Sequence, residues 1–190
     1  MLRLLHASRL TTAVKMLRAL LLICVTSALA GGVLAQIESG GWKQDLQTEL
    51  ATWRATPVAI DLPHFRGELP LSVRVDLDLR PNAELKFLVK PRRVPNPDSL
   101  GGLPSFMVPA EGLYRVFAGA SVWIDVVETA TAKEIREDSF EENAKSELHK
   151  YVVFRLRSGV SYTLQISGSK TAAIGVLIAP VPRLAPRSEK

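Results

Sequence analysis

Outside the first 35 residues the chain has two imidazoles, His64 and His149, and they stand 85 residues apart. A mononuclear iron centre needs two His and a carboxylate converging with open positions. One of these histidines follows Pro63 and the other ends a charged insert, so the spacing leaves open whether they meet. The single cysteine, Cys24, falls in an apolar N-terminal run, which removes thiol nucleophiles from the rest of the chain. The sequence has no G-x-S-x-G elbow, H-E-x-x-H pair, P-loop or dinucleotide glycine pattern after a strand. A Ser-His-Asp set or a pair of acid/base carboxylates can be assembled on paper, but no spacing brings the members together. No catalytic residue, metal ligand or cofactor is therefore assigned.

Polar groups inside strand-like runs are the better candidates for a site. Alternation puts Trp123, Asp125 and Val127 on one face, and Arg155 on a face with Tyr151, Val153 and Arg157. Asp125 and Arg155 are then placed to pair across strands, with the rings of Tyr114 and Trp123 offered to a sugar or peptide. The competing reading is an ordinary ion pair over core aromatics. The candidate binding residues are Tyr114, Trp123, Asp125 and Arg155.

The elements that must hold these residues read as strands. From 69 to 80 six apolar side chains alternate with six that are polar or Pro, Pro81-Asn82 supply a turn, and 85–89 repeat the alternation, which predicts an antiparallel hairpin. A further short strand is expected at 58–62. Five more are expected at 113–118, 122–127, 151–157, 160–167 and 172–179, four of them paired through tight Gly or Ser corners. Seven or eight short strands predict an all-β, antiparallel, jelly-roll-like sandwich over 58–182. Between them, 91–112 is a breaker-rich connection with a basic entrance at Lys90, Arg92 and Arg93, and a short strand is expected at 105–108.

Two helices are expected beside the sheets. Trp42, Leu46, Leu50 and Trp53 form one apolar stripe inside an N-terminal helical region, 36–57, closed by Pro57. In the polar insert 128–150, Ser139 and Glu142 have capping-box spacing and Phe140, Ala144 and Leu148 follow at intervals of four, which predicts a short helix over 140–149. The acids of the insert lack the alternating ligands and central Gly of an EF-hand loop, and basic residues lie among them.

The N-terminal 35 residues read as a secretory signal: Arg3, Arg9, Lys15 and Arg18 precede a run without charge from Ala19 to Ile37. Val33-Leu34-Ala35 suits cleavage before Gln36, Ala28-Leu29-Ala30 offers an earlier cut, and Met16 offers a second start. Cleavage removes four of the 24 Lys+Arg and none of the 19 Asp+Glu, so the net charge falls from +5 to +1. A nearly neutral domain gives no electrostatic basis for nucleic-acid binding, and none for stable membrane insertion once the signal is gone. Without cysteine the exported domain is held by its core rather than by disulfides. Residues 183–190 are expected to be a disordered tail.

Four segments carry a family resemblance. Gly112-Leu113-Tyr114-Arg115-Val116, Trp123-Ile124-Asp125-Val126-Val127, Val153-Phe154-Arg155-Leu156 with Gly159, and Tyr162-Thr163-Leu164-Gln165-Ile166-Ser167-Gly168 resemble the strand pattern of bacterial pre-peptidase C-terminal-like β-sandwiches. They are similar also to small exported proteobacterial proteins of the same style, some of which bear a homogentisate dioxygenase name. The resemblance spans roughly residues 106–180. It implies a jelly-roll-like sandwich with an accessory or binding role in the periplasm or cell envelope, toward a protein, peptide or glycan. The alternative is a metal-dependent or hydrolytic enzyme using His64 and His149. Fractionation of cells expressing the full chain is expected to yield a protein beginning at or near Gln36 outside the cytoplasm; a full-length cytosolic product is the contrary result.

Overall fold

The computed structural model describes residues 42, 43, 45–93 and 95–182. The expected signal peptide and the expected tail at 183–190 lie outside the described residues. The chain divides into two units, 1–45 and 46–190, and the first is represented among the described residues by Trp42, Lys43 and Asp45 alone.

The second unit is an all-β sandwich with one helix. Helix α1 (Gln47–Arg54) leads into β1 (Val58–Ile60), β2 (Arg74–Asp78), β3 (Arg80–Pro81), a 3-10 turn (Asn82–Glu84), β4 (Leu100–Gly102) and β5 (Ser105–Met107). Strands β6 (Gly112–Ala118), β7 (Trp123–Glu128), β8 (Lys133–Ile135), β9 (Glu137–Glu142), β10 (Lys150–Leu156), β11 (Ser161–Ser169) and β12 (Ala173–Pro180) complete it. One sheet runs β1-β2-β12-β6-β10-β9 and the other β3-β4-β11-β7-β8, with β5 continuing beside β11. Successive long strands cross from sheet to sheet, and the inner orders β2-β12-β6-β10 and β4-β11-β7-β8 are those of a jelly roll.

The core follows from period-two alternation. Tyr114, Val116 and Ala118 of β6, Ile124 and Val126 of β7, and Val152, Phe154 and Leu156 of β10 face inward, where they meet Leu164 and Ile166 of β11 and Val176 and Ile178 of β12. The residues between them are buried too. Phe117, Val127, Tyr151, Val153 and Leu177 point away from the shared core and are nonetheless inaccessible, so each sheet has a second cover.

Helix α1 covers the first sheet. Leu46, Leu50 and Trp53 are buried, and the Trp53 ring rests where a Cβ on Gly119 or Gly175 would stand 2.9 Å from it. The Arg74 guanidinium stacks 4.7 Å from the Trp53 ring centre and donates from Nη1 to the Trp53 carbonyl. Beneath the helix, Glu49 Oε1 accepts a 2.6 Å bond from Arg115 Nη1, with side chains only 5% and 7% exposed. Both charges are desolvated, so removing either partner leaves the other buried and alone.

Four expectations are corrected here. The helix begins at Gln47 rather than near Trp42, because Leu46 has non-helical backbone angles and its carbonyl accepts the first helical bond, from Leu50. The short helix expected at 140–149 is absent: Glu137–Glu142 is strand β9, laid against β10 with Phe140 opposite Val152. Asn143 and Ser146 then make a turn, accepting the Lys145 and Leu148 amides, so local side-chain bonds outcompete a helix that would have had no sheet ladder to join. The 69–80/85–89 hairpin does not form either. Leu69 bonds to Ser105 beside the second sheet, Ser72 takes a φ of 55° and bonds to Ile178 in the first, and β3 returns to the second, so this stretch turns the corner of the sandwich. Lastly, β1 pairs with β2 in parallel, against the otherwise antiparallel ladders.

Gly175→Ala is expected to displace the Trp53 ring and lower stability by about 1–3 kcal/mol in urea denaturation, with the midpoint moving and the slope unchanged; an unshifted midpoint would show that the helix adjusts without loss.

Candidate functional site

The four residues singled out from the sequence separate into two places. Asp125 lies in β7 of one sheet and Arg155 in β10 of the other, so the cross-strand pair expected of them is not made. What the fold does bring together is Trp123 with Asp125, and Tyr114 with Arg155.

Trp123 and Asp125 stand on the outer face of the second sheet. The Trp123 indole N–H donates to Asp125 Oδ1 at 3.1 Å, two residues along the same face. Across the ladder Asp125 is opposite Gln165. The Gln165 side chain replaces the strand that 85–89 does not form: its Oε1 accepts the amides of Leu88 and Val89, and its Nε2 donates to the Val89 carbonyl. Three residues later Arg92 reaches Glu134 of β8 through Nε at 2.5 Å and Glu137 of β9 through Nη1 at 2.7 Å. A strap tied to β11 at one end and β8 at the other must cross β7 between them, and Asp125 beneath it is 7% exposed.

Burial pushes the Asp125 carboxyl up to about 6, and the nearby Glu134 charge adds to the rise, while the indole N–H and Arg92 oppose it. Glu137 is held below its ordinary value by its own backbone N–H and by Arg92, against the effect of burial. Lys150, also buried, lies 5.3 Å from the Trp123 ring, donates to the Val122 carbonyl and pairs with Glu142 Oε1 at 2.8 Å. Each cation of this cluster is already engaged, so its chemistry is one proton on Asp125, held or released near pH 6, rather than ligand capture. Lys150, Gln165 and Arg115 hold the fold without standing out in the sequence; for Gln165 and Arg115 the available signal was a long polar side chain at a strand position flanked by apolar or aromatic residues.

Tyr114 and Arg155 line an open groove of about 780 Å3 at one end of the sandwich, with Leu113, Pro180, Val181 and Pro182 as walls and Glu111 at its rim. The Tyr114 ring belongs to the core and its hydroxyl donates to the Ala110 carbonyl at 2.9 Å. Arg155 is exposed, and no hydrogen bond or ion pair engages its guanidinium among the described residues.

His64 and His149 lie in different parts of the fold. His64 Nδ1 lies 2.6 Å from Asp61 Oδ2 in the β1–β2 connection, and His149, at a φ of 22°, bridges Ala118 just before β10. Among the described residues no three His, Cys, Asp or Glu side chains gather closely enough to hold an ion, and no helix is long and apolar enough to cross a membrane. No family model, curated protein or solved structure matches the chain.

A carboxyl raised from 3.8 to about 6 keeps a proton in the folded chain that the unfolded chain has released. Its contribution is therefore most favourable below about pH 4 and is lost as the pH rises through 6. Asp125→Asn keeps an acceptor for the indole and never ionises. Relative to the wild type it is expected to gain about 1–3 kcal/mol between pH 4 and pH 8 in urea denaturation; parallel pH profiles for the two proteins would refute the assignment.

Proposed function

We propose that this chain is a non-catalytic exported binding module of the periplasm or cell envelope. Its ligand is an extended peptide segment of an envelope protein, held in the end groove of the sandwich. The observation that carries this reading is the unengaged Arg155 guanidinium beside walls of Leu113, Pro180, Val181 and Pro182. A fixed fork of N–H donors captures a carboxylate, and the apolar walls accept the side chains on either side of it. A glycan is less well served, because stacking needs a free ring face: the Tyr114 ring is buried and Lys150 sits over the ring of Trp123. The pre-peptidase C-terminal-like resemblance of residues 106–180 supports the same class of role.

The test uses purified protein beginning at Gln36, screened against an array of acidic and neutral peptides and against a glycan array. Acidic peptides are expected to bind, and Arg155→Ala to weaken them about tenfold with the melting temperature unchanged. Binding that is indifferent to Arg155, or confined to glycans, overturns the peptide reading. A stoichiometric iron or zinc ion in the purified protein overturns the non-catalytic one.

A further inference from the structure

A second cleft opens on the side of the sandwich where the chain turns its corner. It encloses about 390 Å3 between the β1–β2 connection, β3 and β4. Two arginines line it, Arg66 from the connection and Arg80 from β3, and none of the residues lining it is acidic. The rest of its lining is apolar side chains, Leu62, Phe65, Leu85 and Pro104 among them, together with Ser105 and glycine backbone. Leu62 and Phe65 pack on the sandwich core from their other side, so the apolar wall is anchored.

The arginines are differently held. Arg66 Nη1 donates to the carbonyls of Pro63 at 3.0 Å and Phe65 at 3.1 Å, which fixes the plane of the guanidinium and leaves its Nε and Nη2 without a partner among the described residues. The Arg80 guanidinium has no hydrogen bond or ion pair among them. Asp61, an acid of the same connection, is turned onto His64 instead. Two cations beside apolar side chains, with no carboxylate among the described residues to neutralise them, make a poor resting surface and a good receptor for a molecule that supplies both missing halves.

We infer that this cleft binds a small organic anion made of one carboxylate and an apolar body. The carboxylate lies between Arg66 and Arg80 and the body lies against Leu62, Phe65 and Leu85. The site is separate from the Arg155 groove and does not depend on the function proposed for it.

Calorimetric titration of purified protein with octanoate, with octanamide and with inorganic phosphate tests this. Octanoate is expected to bind one to one, and the uncharged octanamide at least about tenfold more weakly. Phosphate, lacking the apolar body, is expected to bind more weakly than octanoate as well. Arg80→Gln, at an exposed position whose side chain holds nothing else in the fold, is expected to weaken octanoate about tenfold with an unchanged melting temperature. Equal binding of octanamide and octanoate, no octanoate binding below millimolar concentration, or an unaltered affinity in Arg80→Gln would each overturn the inference. Phosphate binding as tightly as octanoate would reduce the cleft to a bare anion site and overturn the apolar half. Because Arg66 also braces its loop, Arg66→Gln is informative only beside Arg80→Gln, and a loss confined to the former would count against the site.

Discussion

A sheet whose strands are apolar on both faces cannot leave either face in water, and that constraint organises this molecule. The facing surfaces of the two sheets satisfy half of it by packing on each other. The outward surfaces need separate covers, and the chain supplies one to each: helix α1 over Phe117, Tyr151 and Leu177, and the 85–92 strap over Asp125 and Val127. At roughly 25 cal/mol for each Å2 of apolar surface removed from water, leaving either outer face open would forfeit a substantial part of a domain's small net stability.

The two covers are fastened by different chemistry, each imposed by what lies underneath. Helix α1 is too short to hold itself, so it is pinned by the Trp53 ring over the glycine notch and by the buried Glu49–Arg115 pair. The Nε of Arg115 has no hydrogen-bond partner among the described residues, which leaves that pair incompletely compensated. The strap is not regular structure, and its backbone groups cannot pair with a neighbouring strand. The Gln165 amide supplies two acceptor bonds and one donor bond in place of the ladder, and Arg92 anchors the far end on Glu134 and Glu137. Covering Asp125 in this way raises its proton affinity, so a fastening of the fold and a titration near pH 6 are one arrangement.

The groove and the cleft proposed as binding sites lie where covering stops. The groove at Arg155 and the cleft at Arg66 and Arg80 both lie beyond the covered faces, one at the end of β10 and β12 and the other where the chain crosses between sheets. In both, an arginine stands beside apolar side chains without an ion pair among the described residues; Glu111 lies at the rim of the first, and no acid lines the second. Elsewhere arginines are spent on the fold: Arg74, Arg92 and Arg115 each meet a carboxylate at 2.9 Å or less. Arginines paired to carboxylates hold the sandwich shut, whereas the guanidinium groups of Arg155 and Arg80 form no ion pair among the described residues.

By itself the sequence determined what depends on neighbours along the chain. Alternation of apolar and polar side chains set β6, β7, β10, β11 and β12, and with them the all-β sandwich, because a strand's two faces are written in every second residue. It could not determine what a polar residue at a strand position meets. Asp125 and Arg155 satisfy the same pattern, yet the jelly-roll order puts them in different sheets. The insert around Phe140 fits a helical spacing and a strand equally well locally, and the free edge of β10 decided between them by offering a ladder. Likewise the alternation at 85–89 is real, but the neighbour it would have paired with turns the corner instead, and a glutamine far along the chain takes that place. Pairing partners, covers and clefts are decided by which distant segments arrive side by side, and that is a property of the closed sandwich rather than of any stretch of residues.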